Sequence, residues 1–131
     1  MIRVLVVVIL VMGPMSLSMA QGWQEQLDVY KSQGAKGFSA ERGERLWQQK
    51  YLSAKTGKMH SCESCHGKKI EESGKHVKTG KVIDPIALSA NQERFKDSKK
   101  IEKWFKRNCK WTLGRLCTPQ EKGDFLTFLI K

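Results

Sequence analysis

The chain has 131 residues, of which 24 are lysine or arginine and 13 are aspartate or glutamate, so its net charge is +11. This length fits a single domain. A positive charge can serve nucleic-acid binding, but the export signal described next excludes nucleic acid as the expected partner. We expect the basic surface to attract an acidic protein. The alternative is that the lysines only form a solvated surface.

The first 20 residues have the pattern of a cleaved signal peptide. Arg3 precedes an apolar run from Val4 to Met12, and Ser18-Met19-Ala20 offers small residues where a signal peptidase cuts. Nine apolar residues are too few to span a bilayer. An uncleaved anchor is the alternative. We expect one periplasmic domain at residues 21–131, where 23 basic and 13 acidic side chains give a net charge of +10.

Two helices are predicted in the N-terminal part of this domain. Residues 23–33 form a weakly amphipathic stretch. Ser39 is the predicted N-cap of a firmer helix that runs to about Ala54. Gly43, Trp47 and Tyr51 share one face of that helix. Because a glycine lets another backbone approach closely, we expect the last helix of the chain to cross this face.

Residues 61–67 contain the C-x-x-C-H pattern of covalent haem attachment. Cys62 and Cys65 lie three positions apart on one helical turn, so each can form a thioether bond with a haem vinyl group. His66 can then bind the iron from the proximal side. A zinc hook or a redox disulfide is the alternative for the cysteine pair alone. The adjoining histidine and the export signal favour one covalently bound haem c.

The segment after the haem motif, residues 67–90, predicts an irregular, lysine-rich loop at the edge of the macrocycle. The domain shows no strand-like alternation and no repeats. Ser89 and Gln92 form a capping-box pattern for a short helix through Phe95. A further helix is expected from Ser98 to about Asn108.

The clearest helix start in the chain is at Thr118. This residue is a predicted N-cap, with Pro119 at the first helical position and Glu121 completing a capping box. The closing helix should bury Phe125, Leu126 and Leu129. Together these patterns predict an all-α fold of about five short helices and loops around one haem.

The residues alone do not identify the second axial ligand of the iron. No methionine follows the haem motif, and Met59 and His60 lie too close before it to reach across the ring. A lysine would have to lose its proton first. His76 is a candidate for a bis-histidine site, but it lies in a charged loop without an apolar setting.

The predicted helix that ends at Asn108 offers a different donor. Ile101, Trp104 and Phe105 form an apolar stripe along one face of it. Asn108 ends that stripe on the same face, so its amide must find a partner. A helix C-cap or a hydrogen-bonded amide is the alternative to an iron ligand.

Two cysteines, Cys109 and Cys117, are left after haem attachment. In an oxidising compartment an even remainder favours a disulfide over free thiols or a metal site. Such a bridge would fix Asn108 and the loop that follows it.

The sequence resembles the SHP-type monohaem cytochromes c. The likeness rests on the stretches Ser61 to Gly67, Thr79-Gly80-Lys81, Glu102-Lys103-Trp104, Arg107-Asn108-Cys109, Gly114-Arg115 and Cys117-Thr118-Pro119. The resemblance implies a class I cytochrome c fold, Asn108 as the distal ligand and a bridge between Cys109 and Cys117. It also implies binding of oxygen and nitric oxide on reduction, with electrons from a dihaem cytochrome c.

These features lead to one functional hypothesis and one alternative. An amide oxygen is a hard, weak donor that suits ferric better than ferrous iron. Reduction should therefore release Asn108 and admit oxygen, nitric oxide or carbon monoxide beside an apolar wall of Trp104 and Phe105. We expect a monomer served by a dihaem or membrane-linked cytochrome, with an oxygen reductase or nitric oxide dioxygenase side activity left open. The alternative is a simple electron carrier without gas chemistry.

Overall fold

The structure is a computed structural model that describes residues 21–54 and 56–131. The expected signal peptide, residues 1–20, lies outside the described residues. The all-α fold predicted from the sequence is confirmed, with five helices in the described part. They are α1 (Gly22–Ser32), α2 (Ala40–Gln48), α3 (Glu63–His66), α4 (Ser98–Thr112) and α5 (Pro119–Leu129).

Two short antiparallel ribbons accompany the helices. In the first, β1 (Tyr51–Leu52) pairs with β2 (Met59–His60); in the second, β3 (Gly74–Lys75) pairs with β4 (Val82–Ile83). The sequence did not predict them, because a strand of two residues has no alternation to detect. The two ribbons lie directly before and after the haem motif in the chain.

Helix α2 begins as predicted and ends earlier than predicted. The Ser39 hydroxyl caps it by accepting a hydrogen bond from the Arg42 backbone N–H at 3.2 Å. The helix stops at Gln48 instead of about Ala54, because the backbone adopts an extended conformation at Gln49 and Tyr51 then pairs with β2. Tyr51 therefore leaves the face that Gly43 and Trp47 share.

Helix α4 is four residues longer than expected. Its N-cap is Asp97, whose carboxylate accepts from the Lys100 backbone N–H at 3.1 Å, and its C-cap is Leu113. Asn108 lies inside the last turns of α4, so the C-cap alternative for Asn108 is wrong. Helix α5 has the predicted capping box of Thr118 and Glu121.

The short helix expected between Ser89 and Phe95 does not form. The chain makes turns there, and the backbone N–H groups of Ala90 and Asn91 both donate to the Ala87 carbonyl. The Leu88 N–H donates to the Leu129 carbonyl at 2.9 Å. This segment is held to the end of α5, so a tertiary contact overrides the local capping pattern.

The crossing of α2 and α5 confirms the role predicted for Gly43. A Cβ atom at this position would overlap the backbone carbonyl oxygen of Asp124 in α5. Asp124 is buried, and its carboxylate accepts from the Ser39 N–H at 2.7 Å and from the Arg42 guanidinium at 2.9 Å. Close backbone contact and this ion pair together fix α2 on α5, with Trp47 in the core beside Phe128.

Replacing Gly43 with alanine should lower the free energy of unfolding by about 2–3 kcal/mol, because the backbones of α2 and α5 must move apart. Denaturant unfolding of the oxidised holoprotein measures this change. The Gln48→Ala variant, at an exposed position of the same helix, should stay within about 0.5 kcal/mol of the original protein. Equal stability of the two variants would contradict the close approach.

In the part of the chain that the structure describes, no helix has the length and apolar character needed to cross a membrane.

Candidate haem site

The attachment turn is α3 together with Cys62, which precedes it as N-cap. Ser61 and Ser64 cap each other: the Ser61 N–H donates to the Ser64 hydroxyl at 2.9 Å, and the Ser64 N–H donates to the Ser61 hydroxyl at 3.2 Å. The thiols of Cys62 and Cys65 are both free. Residues three apart on a helical turn share one face, so the two thiols are presented to the same side.

Burial sets the protonation states in this turn. Burial lowers the pKa of His66 to about 4, and the nearby Arg94 cation adds to the shift. The imidazole is therefore neutral at pH 7, the form that can bind a metal. Burial also raises the pKa of the Cys62 thiol to about 12, so this thiol stays protonated. The His66 ring lies 5.2 Å from the Trp47 ring, which joins the turn to α2.

The β3–β4 ribbon is seated directly on the attachment turn. A Cβ atom at Gly74 would overlap the Cys65 carbonyl oxygen and press on the His66 Cα. Glycine is therefore required for the ribbon to approach this closely. Gly74 lies in the segment that the sequence predicts to be an irregular loop, and only the fold brings it into contact with the turn.

The side chains around this turn fit a c-type haem. The turn supplies two free thiols and a neutral imidazole, which is the donor set that covalent haem attachment uses. Several large apolar side chains in the two ribbons, or in the turn between β3 and β4, are exposed. They are Leu52, Met59, Val77 and Val82.

Asn108 lies on α4 with its side chain exposed. Among the described residues, no hydrogen bond to its carboxamide is found. The next residue, Cys109, is buried and forms a disulfide with Cys117, with 5.6 Å between the two Cα atoms. The disulfide ties the last turns of α4 to the start of α5. The carboxamide is therefore exposed, on a stretch of backbone that the neighbouring disulfide restrains.

The two predicted wall residues have different surroundings. Trp104 is 51% exposed, and the Arg107 guanidinium carbon lies 5.5 Å from its ring centroid. Phe105 packs in the core, with its ring 6.4 Å from Tyr30 and 6.2 Å from Phe125. Trp104 and Asn108 lie four residues apart on one face of α4. Phe105, three residues before Asn108, is the part of this stripe that packs against α1 and α5.

The expectation that His76 lacks an apolar setting is wrong. Its ring lies 5.7 Å from the Trp111 ring, and its Nδ1 accepts from the backbone N–H groups of Lys78 and Thr79 at 3.2 Å each. The local sequence is charged, but the contact comes from α4, far along the chain. Trp111 was not among the site residues predicted from the sequence. The available signal was its position three residues after Asn108, on the same side of the helix.

The fold and the attachment turn define a c-type cytochrome. The family model "Domain of unknown function (DUF1924)" matches residues 33–129. Over 103 residues the chain is 43% identical to "Cytochrome c-type protein SHP" of Cereibacter sphaeroides. This alignment covers 76% of this chain and 76% of that protein. It is also 40% identical over 75 residues to cytochrome c'' of Methylophilus methylotrophus, covering 57% of this chain and 52% of that protein.

Solved structures agree with these relatives. Oxidised SHP, described as an oxygen-binding cytochrome c, matches this structure with a TM-score of 0.74 at 37% identity. The match covers 83% of this chain and 96% of the SHP chain. Oxidised cytochrome c'' from Methylophilus methylotrophus has a TM-score of 0.75 at 30% identity, covering 83% and 93%. The chain belongs to the SHP-type cytochromes c, as its motifs indicated, and its relatives are haem proteins.

Proposed function

We propose that this protein is a periplasmic monohaem cytochrome c in which Asn108 acts as a ligand controlled by the redox state. Cys62 and Cys65 would hold haem c covalently, with His66 as the proximal ligand. When bound, the haem supplies a redox-active iron that binds diatomic gases in its ferrous state. Asn108 would bind the iron in the oxidised protein and leave it on reduction, so that oxygen or nitric oxide could bind in its place.

The free carboxamide of Asn108 carries this proposal. A buried or capping asparagine would have its amide paired, whereas this one is exposed on α4 beside the disulfide. The neutral amide oxygen is a hard donor, so it favours the higher charge of the oxidised state and is lost easily after reduction. The likeness to SHP, a cytochrome described as oxygen-binding, supports the same reading.

The disulfide and the aromatic face of α4 would assist this switch. The bridge from Cys109 to Cys117 restrains the backbone beside Asn108, so that release requires only a side-chain rotation. Trp104 shares the face of Asn108 and would limit the access of water. The released carboxamide, as a hydrogen-bond donor, can then stabilise a gas molecule in the position it has left.

The electron donor we propose is an acidic redox protein such as a dihaem or membrane-linked cytochrome. Helix α4 carries a row of exposed cations, and in the described part of the structure none of them is paired with a carboxylate. They are Lys99, Lys100, Lys103, Lys106, Arg107 and Lys110. Unpaired charge of one sign steers an oppositely charged partner toward the surface, and salt screens this attraction.

Carbon monoxide titration of the reduced protein separates gas binding from simple electron transfer. We expect the reduced protein to bind one carbon monoxide per haem, with a large change in the absorption spectrum, because Asn108 leaves the position open. The oxidised protein serves as the control and should not respond. A reduced protein that is already six-coordinate and low-spin, and whose spectrum does not change when carbon monoxide is added, would favour the carrier function.

A further inference from the structure

Trp111 lies in the last turn of α4, three residues after Asn108. Its ring contacts two imidazoles: the ring centroid of His60 lies 5.1 Å away and that of His76 lies 5.7 Å away. The two histidines come from different segments of the chain, on either side of the haem motif. Trp111 is therefore where the end of the helix that carries Asn108 meets both of these segments.

His60 is held firmly in the segment that leads into the haem motif. It is buried, and its Nε2 lies 2.8 Å from the Thr56 hydroxyl. In the ribbon it is the partner of Tyr51. Because only Ser61 separates His60 from Cys62, the position of this imidazole is tied to the attachment turn.

His76, which is half-buried, is held by backbone hydrogen bonds on the other side. Its backbone N–H donates to the Lys81 carbonyl at 2.8 Å, and its carbonyl accepts from the Gly80 N–H at 2.8 Å. The ring is fixed by the two backbone N–H groups that donate to Nδ1. Through Gly74, the same ribbon rests on the backbone of Cys65 and His66.

Both imidazoles thus belong to segments anchored on the turn that carries the proximal histidine. The other aromatic contacts of α4, from Phe105 to Tyr30 and Phe125, hold the helix to α1 and α5. The Cys109–Cys117 disulfide also ties α4 toward α5. The two contacts of Trp111 link the end of α4 to the attachment turn.

We propose that Trp111 is a positioning residue that fixes the distance between Asn108 and the attachment turn and so determines how tightly Asn108 is held. This inference rests on the proposed role of Asn108 as distal ligand. A weak amide donor is sensitive to its placement, since little bond energy is available to offset a displaced helix end. Loss of the Trp111 ring contacts should shift the oxidised protein toward the state in which Asn108 has left.

The test replaces Trp111 with leucine, which keeps an apolar side chain and removes the ring, and with phenylalanine, which restores a ring. The readouts are the high-spin fraction of the oxidised protein and the reduction potential. Two aromatic contacts of this kind should change the ratio of released to bound Asn108 by about threefold to tenfold in the leucine variant. A tenfold weakening would raise the potential by up to about 59 mV. The phenylalanine variant should lie closer to the original protein.

The Trp23→Leu variant is the matched control, since Trp23 is a half-buried tryptophan of α1. It should leave spin state and potential unchanged. A shift as large as that of Trp111→Leu would show general loosening and overturn the proposal. If the Trp111 variant does not fold, His76→Leu removes one of the two contacts and should give a smaller shift in the same direction; no shift would also overturn it.

A comparison with Asn108→Ala separates this inference from the proposed function. If Asn108→Ala opens the oxidised iron while Trp111→Leu behaves like the original protein, the positioning role fails and the proposed function stands. If Asn108→Ala leaves the oxidised spectrum unchanged, both the function and the positioning role fail.

Discussion

On the proposed role of Asn108 as distal ligand, its replacement with alanine should open the sixth position of the iron in the oxidised protein. The variant loses the amide oxygen and has no other donor on that turn of α4, since Cys109 is in the disulfide. We expect a high-spin oxidised spectrum. Azide should bind at least about tenfold more tightly, because an occupied site reduces apparent affinity by the fraction of molecules in which it is open. Absorption spectra and azide titration measure both effects.

The Asn91→Ala variant is the control for this experiment. Asn91 is a half-buried asparagine in the turns before α4, so its removal should leave the spectrum and the azide affinity unchanged. An unchanged oxidised spectrum in Asn108→Ala would place the distal ligand elsewhere. His76 would then be the candidate. Its Nδ1 accepts two hydrogen bonds, whereas its Nε2 has no hydrogen-bond partner among the described residues. The His76→Ala variant should then open the iron instead.

Replacing Glu102 with alanine should cause a large loss of stability, because this carboxylate neutralises a buried lysine. Glu102 accepts from Lys122 Nζ at 2.6 Å and from the Tyr30 hydroxyl at 2.9 Å. The Lys122 side chain is 11% exposed, and Tyr30 is fully buried. Without Glu102 the lysine would be a buried charge with no partner. We expect the free energy of unfolding to fall by about 3 kcal/mol. This is the lower end of the loss caused by removing one partner of a buried ion pair, because Glu102 itself is only half-buried.

A second substitution tests this explanation. Replacing Lys122 with methionine in the Glu102→Ala background removes the unpaired charge and keeps the apolar volume, so most of the lost stability should return. The Glu72→Ala variant is the control, since its pair with Lys69 is exposed, and it should change stability by less than about 1 kcal/mol. Denaturant unfolding of the oxidised holoprotein measures all three. If the methionine substitution fails to restore stability, the loss has another cause, such as the freed Tyr30 hydroxyl.

The same network explains a raised pKa. Burial raises the pKa of the Tyr30 hydroxyl well above its usual range, and the Glu102 carboxylate adds to the shift by its charge and as a hydrogen-bond acceptor. The tyrosine therefore stays protonated at neutral pH and donates to Glu102. This cluster joins α1, α4 and α5 at the end of α4 that lies away from Asn108.

The sequence by itself determined the features whose signals are local. The attachment turn follows from the spacing of Cys62, Cys65 and His66, since one helical turn brings such residues to the same side. The start of α5 follows from Thr118 and Glu121, because a capping box needs only four consecutive residues. The position of Gly43 under a crossing helix was also readable, since a glycine beside a buried tryptophan indicates close approach.

Only the tertiary structure decided where distant segments meet. The end of α2 at Gln48 depends on the pairing of Tyr51 with His60, nine residues further along the chain, and the turns around Ser89 depend on α5. Lys122 reads as a surface lysine until Glu102 is placed beside it. Trp111 acquires its two histidine neighbours only when the ribbons fold against α4. Contacts between segments far apart in the chain leave no periodic or spacing signal, so packing free energy settles them after the local elements have formed.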